Sequence, residues 1–115
     1  AGAKRPLWII RNGELLQFPG DKFSIGSQFW ENESFTNLTI SISANDSIYL
    51  FSDGFADQFG GEHGKKLMTS NFKEELISIQ NRNMNEQGKL LSEYFEKWKG
   101  ANEQVDDVMV IGIKI

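Results

Sequence analysis

The stretch Ile48-Tyr49-Leu50-Phe51-Ser52-Asp53-Gly54-Phe55-Ala56-Asp57 runs from an apolar segment straight into an aspartate followed by a glycine. Near the other end, Val105-Asp106-Asp107-Val108 precedes a second apolar run, Met109 to Ile115. If the two runs are neighbouring antiparallel strands, the end of the first lies beside the start of the second, and Asp53 comes close to Asp106. Two bare carboxylates at short range repel each other, and a divalent cation removes that repulsion. The chain has one histidine and no cysteine, so the donors on offer are hard oxygens, which suit magnesium or manganese. Gly54 would let the main chain pass close to such a site. A plain structural account competes with this one. Asp-Gly is an ordinary turn after a strand and aspartate an ordinary strand terminator, and spacing alone favours that account. Asp57 either caps a short helix or holds a water. Gly60-Gly61 reads as loop, because no Walker-type lysine pattern follows it. His63 reads as an exposed loop residue and Lys65-Lys66 as a solvated pair.

Composition closes off other chemistries. The absence of cysteine excludes a disulfide framework, a thiolate metal site and a cysteine nucleophile, and a single histidine excludes a multi-histidine centre. No G-x-S-x-G elbow is present. The net charge is −4 and no basic run occurs, so the electrostatic footprint of a nucleic-acid binder is missing. No apolar stretch approaches the ~20 residues of a membrane span, and no secretory leader is recognisable. Asn-x-Ser/Thr triplets at Asn32, Asn37 and Asn45 are common by chance, and the expected location is the cytoplasm. At 115 residues, with 39% hydrophobic residues, nine phenylalanines and three tryptophans, the chain is long enough for one aromatic-rich core. Neither end carries a polar tail, as expected of a piece of a longer polypeptide.

The elements that must position the acids follow from periodicity. Leu7 to Arg11 and Glu14 to Phe18 flank Asn12-Gly13, a hairpin signal, because a type I′ turn needs positive φ at both central residues. Residues 22–34 read as irregular with a short extended piece. Thr36 to Ser43 alternates Leu38, Ile40 and Ile42 with polar residues, which predicts a half-buried strand. Ala44-Asn45-Asp46 is a turn, and Ser47 to Ser52 a central strand. A short helix is expected around Phe55 to Phe59. A longer one is capped by Thr69 or Ser70 and shows Phe72, Leu76 and Ile79 on one face. Another starts near Asn83 or Asn85, with Met84, Leu91, Tyr94, Phe95 and Trp98 in one stripe, and Gly100 ends it. Those aromatics read as core rather than as a cofactor box. The order is strands, helices, strand: an α+β chain with two helices on one sheet face.

The combination "YLFSDGFADQFGG" and "EQVDDVMVIGIKI", with the opening "AGAKRPLWIIRNGEL", resembles the PPM-type (type 2C-like) metal-dependent serine/threonine protein phosphatases, and within them the bacterial SpoIIE-like branch. The resemblance runs over essentially the whole chain. It implies a β-sandwich flanked by helices, here a partial one corresponding to the C-terminal part of a single domain over residues 1–115. It further implies two Mn²⁺ or Mg²⁺ ions that activate a water to attack a phosphoserine or phosphothreonine without a phosphoenzyme. By that resemblance Asp53 and Asp106 are metal ligands, and Asp107 is a neighbour of one. It also implies a phosphorylated regulatory protein as substrate in bacterial signalling, and upstream sensor or repeat domains. One piece of the family pattern is missing: the early Asp-Gly pair whose aspartate bridges both metals. The chain alone is therefore expected to bind metal weakly or not at all and to be inactive or nearly so. Half a sandwich leaves an apolar sheet face uncovered, so self-association is expected. The alternative is a non-catalytic β-rich interaction module whose aspartates are turns.

Overall fold

The computed structural model describes residues 3–26 and 34–115. Residues 27–33, including Asn32 and part of the irregular stretch expected over 22–34, lie outside the described residues. The elements run β1 (Leu7–Arg11), β2 (Glu14–Phe18), β3 (Ser47–Phe51), α1 (Gly54–Asp57), β4 (Phe59–Gly60), β5 (Lys65–Lys66), α2 (Thr69–Ser78), α3 (Met84–Lys99) and β6 (Val110–Lys114). Four strands form one antiparallel sheet in the order β2-β1-β3-β6. The α+β expectation holds, with β3 interior to the sheet as its apolar run predicts.

The β1–β2 hairpin is built as its sequence dictates. Asn12 and Gly13 both take positive φ, 51° and 77°, and the register closes on Arg11 opposite Glu14. One face of the sheet presents Trp8, Ile10, Tyr49 and Phe51 to the helices, where they meet Phe55, Leu67, Phe72, Leu76, Ile79, Leu91 and Phe95 in a single core. Phe72 is the hub: its ring lies 5.6 Å from Trp8, 5.3 Å from Phe51 and 4.5 Å from Phe55. Asn83 caps α3 by accepting from the Glu86 amide at 2.9 Å, and Gly100 ends it at φ 54°. The aromatic stripe of α3 is core, as expected. The stripe also contains Gln87, buried with both the oxygen and the nitrogen of its amide hydrogen-bonded. Its Oε1 accepts from the Tyr49 hydroxyl and its Nε2 donates to the Arg82 carbonyl at 3.0 Å. Gln80 donates to the same tyrosine oxygen at 2.6 Å.

Three expectations fail. Residues 36–43 are not a strand. Their alternation survives in part as a one-sided contact: Leu38 and Ile40, with Leu7, Phe18 and Leu50, line a cleft of about 190 Å³ on the second sheet face, while Ile42 is exposed. Alternation specifies an apolar side, not a hydrogen-bonding partner. Here side chains tie the segment down, Asp21 accepting from the Thr36 amide and Arg11 donating to the Ser41 carbonyl. Neither Thr69 nor Ser70 caps α2, whose N-cap is Met68 at φ 77° with no side-chain cap bond. Finally, the expected loop after α1 contains a small hairpin, β4 with β5. It docks on the end of α3, where a Cβ on Gly60 would stand 1.9 Å from the Trp98 carbonyl oxygen; only glycine permits that approach.

The turn at Ala44-Asn45-Asp46 does more than reverse the chain. Asp46 is 1% exposed and accepts from Arg11 Nε at 2.9 Å, Arg11 Nη2 at 2.7 Å and the Ser43 amide at 2.8 Å. The Arg11 hydrogen bonds, followed by that of Ser43, lower its carboxyl from an ordinary 3.8 to about 2. A depressed carboxyl lends stability that is complete above its unfolded value and drains as pH falls toward the folded value. The melting temperature is therefore expected to fall as pH drops from about 4 to about 2. Asp46→Asn should melt lower at pH 7, with the two curves converging in acid. Thermal melts across that range check it.

The second sheet face is only partly covered. Leu50 on β3, Ile111 and Ile113 on the edge strand β6, and Met109 and Ile115 at its two ends are each 41–55% exposed.

Candidate functional site

β3 and β6 pair antiparallel with Phe51 opposite Val110, so the two acid-bearing segments leave the sheet at the same end. The ladder continues past the strands: the Ser52 amide donates to the Met109 carbonyl at 3.0 Å, and Ser52 Oγ donates to the Asp107 carbonyl at 2.8 Å. The Met109 amide donates in turn to Ser52 Oγ at 3.0 Å. Gly54 then lies flush against the other segment. A Cβ there would meet the Asp107 carbonyl oxygen at 2.2 Å and Val108 Cγ2 at 3.0 Å. Serine and glycine around Asp53 thus have a shared physical role, to lock two main-chain segments together.

Asp53 is the N-cap of α1, and its carbonyl accepts from the Asp57 amide at 3.0 Å. Its side chain is not spent on the cap; it projects outward, 59% exposed, into an ion pair with Arg5. Phe55, one residue past Gly54, is buried against Phe72, Tyr94 and Phe95, which anchors the turn to the core. Asp106 and Asp107 are exposed. Asp106 Oδ1 accepts from the Asp107 amide at 2.8 Å, and the Asp106 carbonyl accepts from Gln104 at 3.0 Å. Asp57 neither caps α1 nor joins the acids; it faces Lys66 at 3.8 Å. His63 is exposed in the hairpin. A cleft of about 320 Å³ lined by Phe55, Leu91, Phe95, Gln104 and Val108 opens behind the 104–108 loop, and neither Asp53 nor Asp106 lines it.

Among the described residues no group of three or more His, Cys, Asp or Glu side chains gathers as a metal cage. Asp53 and Asp106, exposed carboxylates on segments that leave the sheet at one end, in a chain with no cysteine and a single histidine, nonetheless have the oxygen chemistry that suits a hard cation. Magnesium commonly takes one or two carboxylates and completes its shell with water and phosphate oxygens. The donor chemistry therefore fits part of a Mg²⁺ or Mn²⁺ site. Sequence reading missed Arg5, whose approach to Asp53 spans 48 positions; only its place next to Pro6 at the start of a strand hinted at a fixed direction.

Neither a protein-family model nor a curated protein matches the sequence, but solved structures do. The SiaA-PP2C domain of Pseudomonas aeruginosa matches 99% of this chain with a TM-score of 0.87 and 26% identity. The phosphatase domain of the cell fate determinant SpoIIE from Bacillus subtilis matches 98% with a TM-score of 0.64 and 16% identity, a likeness of fold alone. The chain spans 44% and 49% of those two chains. Fold and neighbours together define the architecture: an α+β chain with the fold of part of the PP2C and SpoIIE phosphatase domains.

Proposed function

We propose that this chain is part of a metal-dependent phosphoprotein phosphatase of bacterial signalling, one that hydrolyses phosphoserine or phosphothreonine on a regulatory protein in the cytoplasm. The observation that carries the reading is the Ser52-Asp53-Gly54 turn locked against Asp107, within a fold that matches a PP2C domain at a TM-score of 0.87. Asp53 and Asp106 would hold Mn²⁺ or Mg²⁺. A divalent ion bound there supplies an activated water and offsets charge on phosphoryl oxygens. The chain's own contribution is positional: Phe55 fixes the turn in the core, Gly54 sets the spacing between the segments, and Ser52 ties them together. Sensor or repeat domains would lie elsewhere in a longer polypeptide. The apolar face of β3 and β6 supports the expectation that the chain on its own associates with itself.

Two carboxylates are a partial site, so the 115-residue chain should turn over p-nitrophenyl phosphate in Mn²⁺ negligibly. It should still bind Mn²⁺ weakly by calorimetry, and Asp106→Ala should weaken that binding about tenfold or more. Binding indifferent to Asp106→Ala would favour the interaction-module reading. Robust turnover lost in Asp53→Asn would show that the two carboxylates suffice.

A further inference from the structure

We propose that Arg5 is a resident counter-cation that competes with the divalent ion for Asp53, so that metal loading has to displace it. The proposal rests on Asp53 being a cation ligand, and adds a regulatory contact to that reading.

The contact is aimed by the backbone. Lys4, immediately before Arg5, sits at φ 61°, a left-handed conformation that costs a non-glycine residue free energy and persists only where its surroundings enforce it. Here the Lys4 amide donates to the Asp21 carbonyl at 2.7 Å, and Ala3 bridges to Asp21. Arg5 Nε donates back to the Lys4 carbonyl at 3.3 Å. Pro6 then stiffens the chain, and Trp8, Ile9 and Ile10 bury β1 in the sheet. The guanidinium is thus carried on a turn held from both sides, and Nη1 donates to Asp53 Oδ1.

The competition is chemical. Asp53 Oδ1 gives one of its lone pairs to an N–H of Arg5; a carboxylate keeps others for a cation, so the conflict is one of charge, a divalent ion at Asp53 bringing two positive charges beside a third. Arginine does not relieve this by losing its proton; it has to move. Both partners are partly exposed, 39% and 59%, so the pair is a weak one and yields to an ion at moderate concentration. A weak, directed contact keeps the carboxylate neutralised without metal and sets a threshold for loading. Reciprocity then requires the ion to loosen Arg5 by the same factor that Arg5 weakens the ion.

The test uses the whole chain and two ions. Paramagnetic broadening of the Asp53 and Gly54 amides by Mn²⁺ reads affinity in wild type, Arg5→Gln, Arg5→Lys and Asp53→Asn. Arg5→Gln should tighten Mn²⁺ about three- to tenfold, Arg5→Lys less, with thermal melts near wild type in both. Titration of wild type with diamagnetic Mg²⁺ should shift and sharpen the Arg5 Nε–H resonance as the side chain is released. If Asp53→Asn loses the broadening while Arg5→Gln leaves affinity unchanged or weakened, the competition is refuted and the cation site stands. If broadening persists in Asp53→Asn, or is absent in every variant, the underlying site reading fails and the competition falls with it.

Discussion

Phe72→Ala is expected to destabilise the protein by about 3–5 kcal/mol, lowering the melting temperature by roughly 10–20 °C. Phe72 is 0% exposed and contacts rings from β1, β3 and α1 at once, so its loss removes packing from three elements. The surrounding Trp8, Phe51 and Phe55 are too large and too fixed by their strands and turn to collapse into the space, and a residual cavity adds to the lost transfer free energy. Denaturant melts measure the effect, with an unchanged slope showing that both end states are comparable. Phe72→Leu keeps most of the volume and should cost less. A loss below about 1 kcal/mol for the alanine variant, far under the usual range for a buried aromatic, would mean that α2 is not packed on the sheet as described.

Gly54→Ala should be the most damaging single change at the site relative to its size. Alanine is favoured over glycine within a helix by about 1 kcal/mol, so an unobstructed methyl in α1 would stabilise. The new Cβ would instead stand 2.2 Å from the Asp107 carbonyl oxygen, and that oxygen already accepts from Ser52 Oγ. The two segments have to part, costing about 1–3 kcal/mol net, as overpacking does. They also carry Asp53 and Asp106, so Mn²⁺ binding should fall by about tenfold or more, as losing a supporting contact does. Calorimetric titration and thermal melts of the same variant separate the two effects. A neutral or stabilised Gly54→Ala would show that the 107–108 segment gives way, and with it the idea that this contact sets the spacing of the acids.

Much of the fold was legible because its signals are local. Asn12-Gly13 demands positive φ, and the hairpin follows. The continuous apolar run of β3 demands two covered faces or a central place, and it sits between β1 and β6. The stripe on α3 demands a sheet to pack on. Residues 36–43 depart from their strand-like pattern for a related reason: the pattern alternates, but whether an alternating segment enters a ladder depends on which edges are free and what ties down its ends. Asp21, Arg11 and Asp46 supply those ties from elsewhere in the chain. The β4–β5 hairpin is not legible locally because Gly60 and Gly61 answer to Trp98, nearly forty residues on.

The sequence by itself determined the kinds of groups at the site: hard oxygen donors at the end of one strand and ahead of another, with a glycine where the main chain must pass closely. Periodicity and residue chemistry are properties of short stretches and need no knowledge of the rest. Only the tertiary structure decided which segments meet. The β3–β6 register brought the Asp53 turn against Asp107, the strained turn at Lys4 delivered Arg5 to Asp53, and Asp46 was buried with Arg11 at the opposite end of the sheet. Such encounters are set by the free energy of packing the whole sheet against its helices, a quantity that no local window of residues contains.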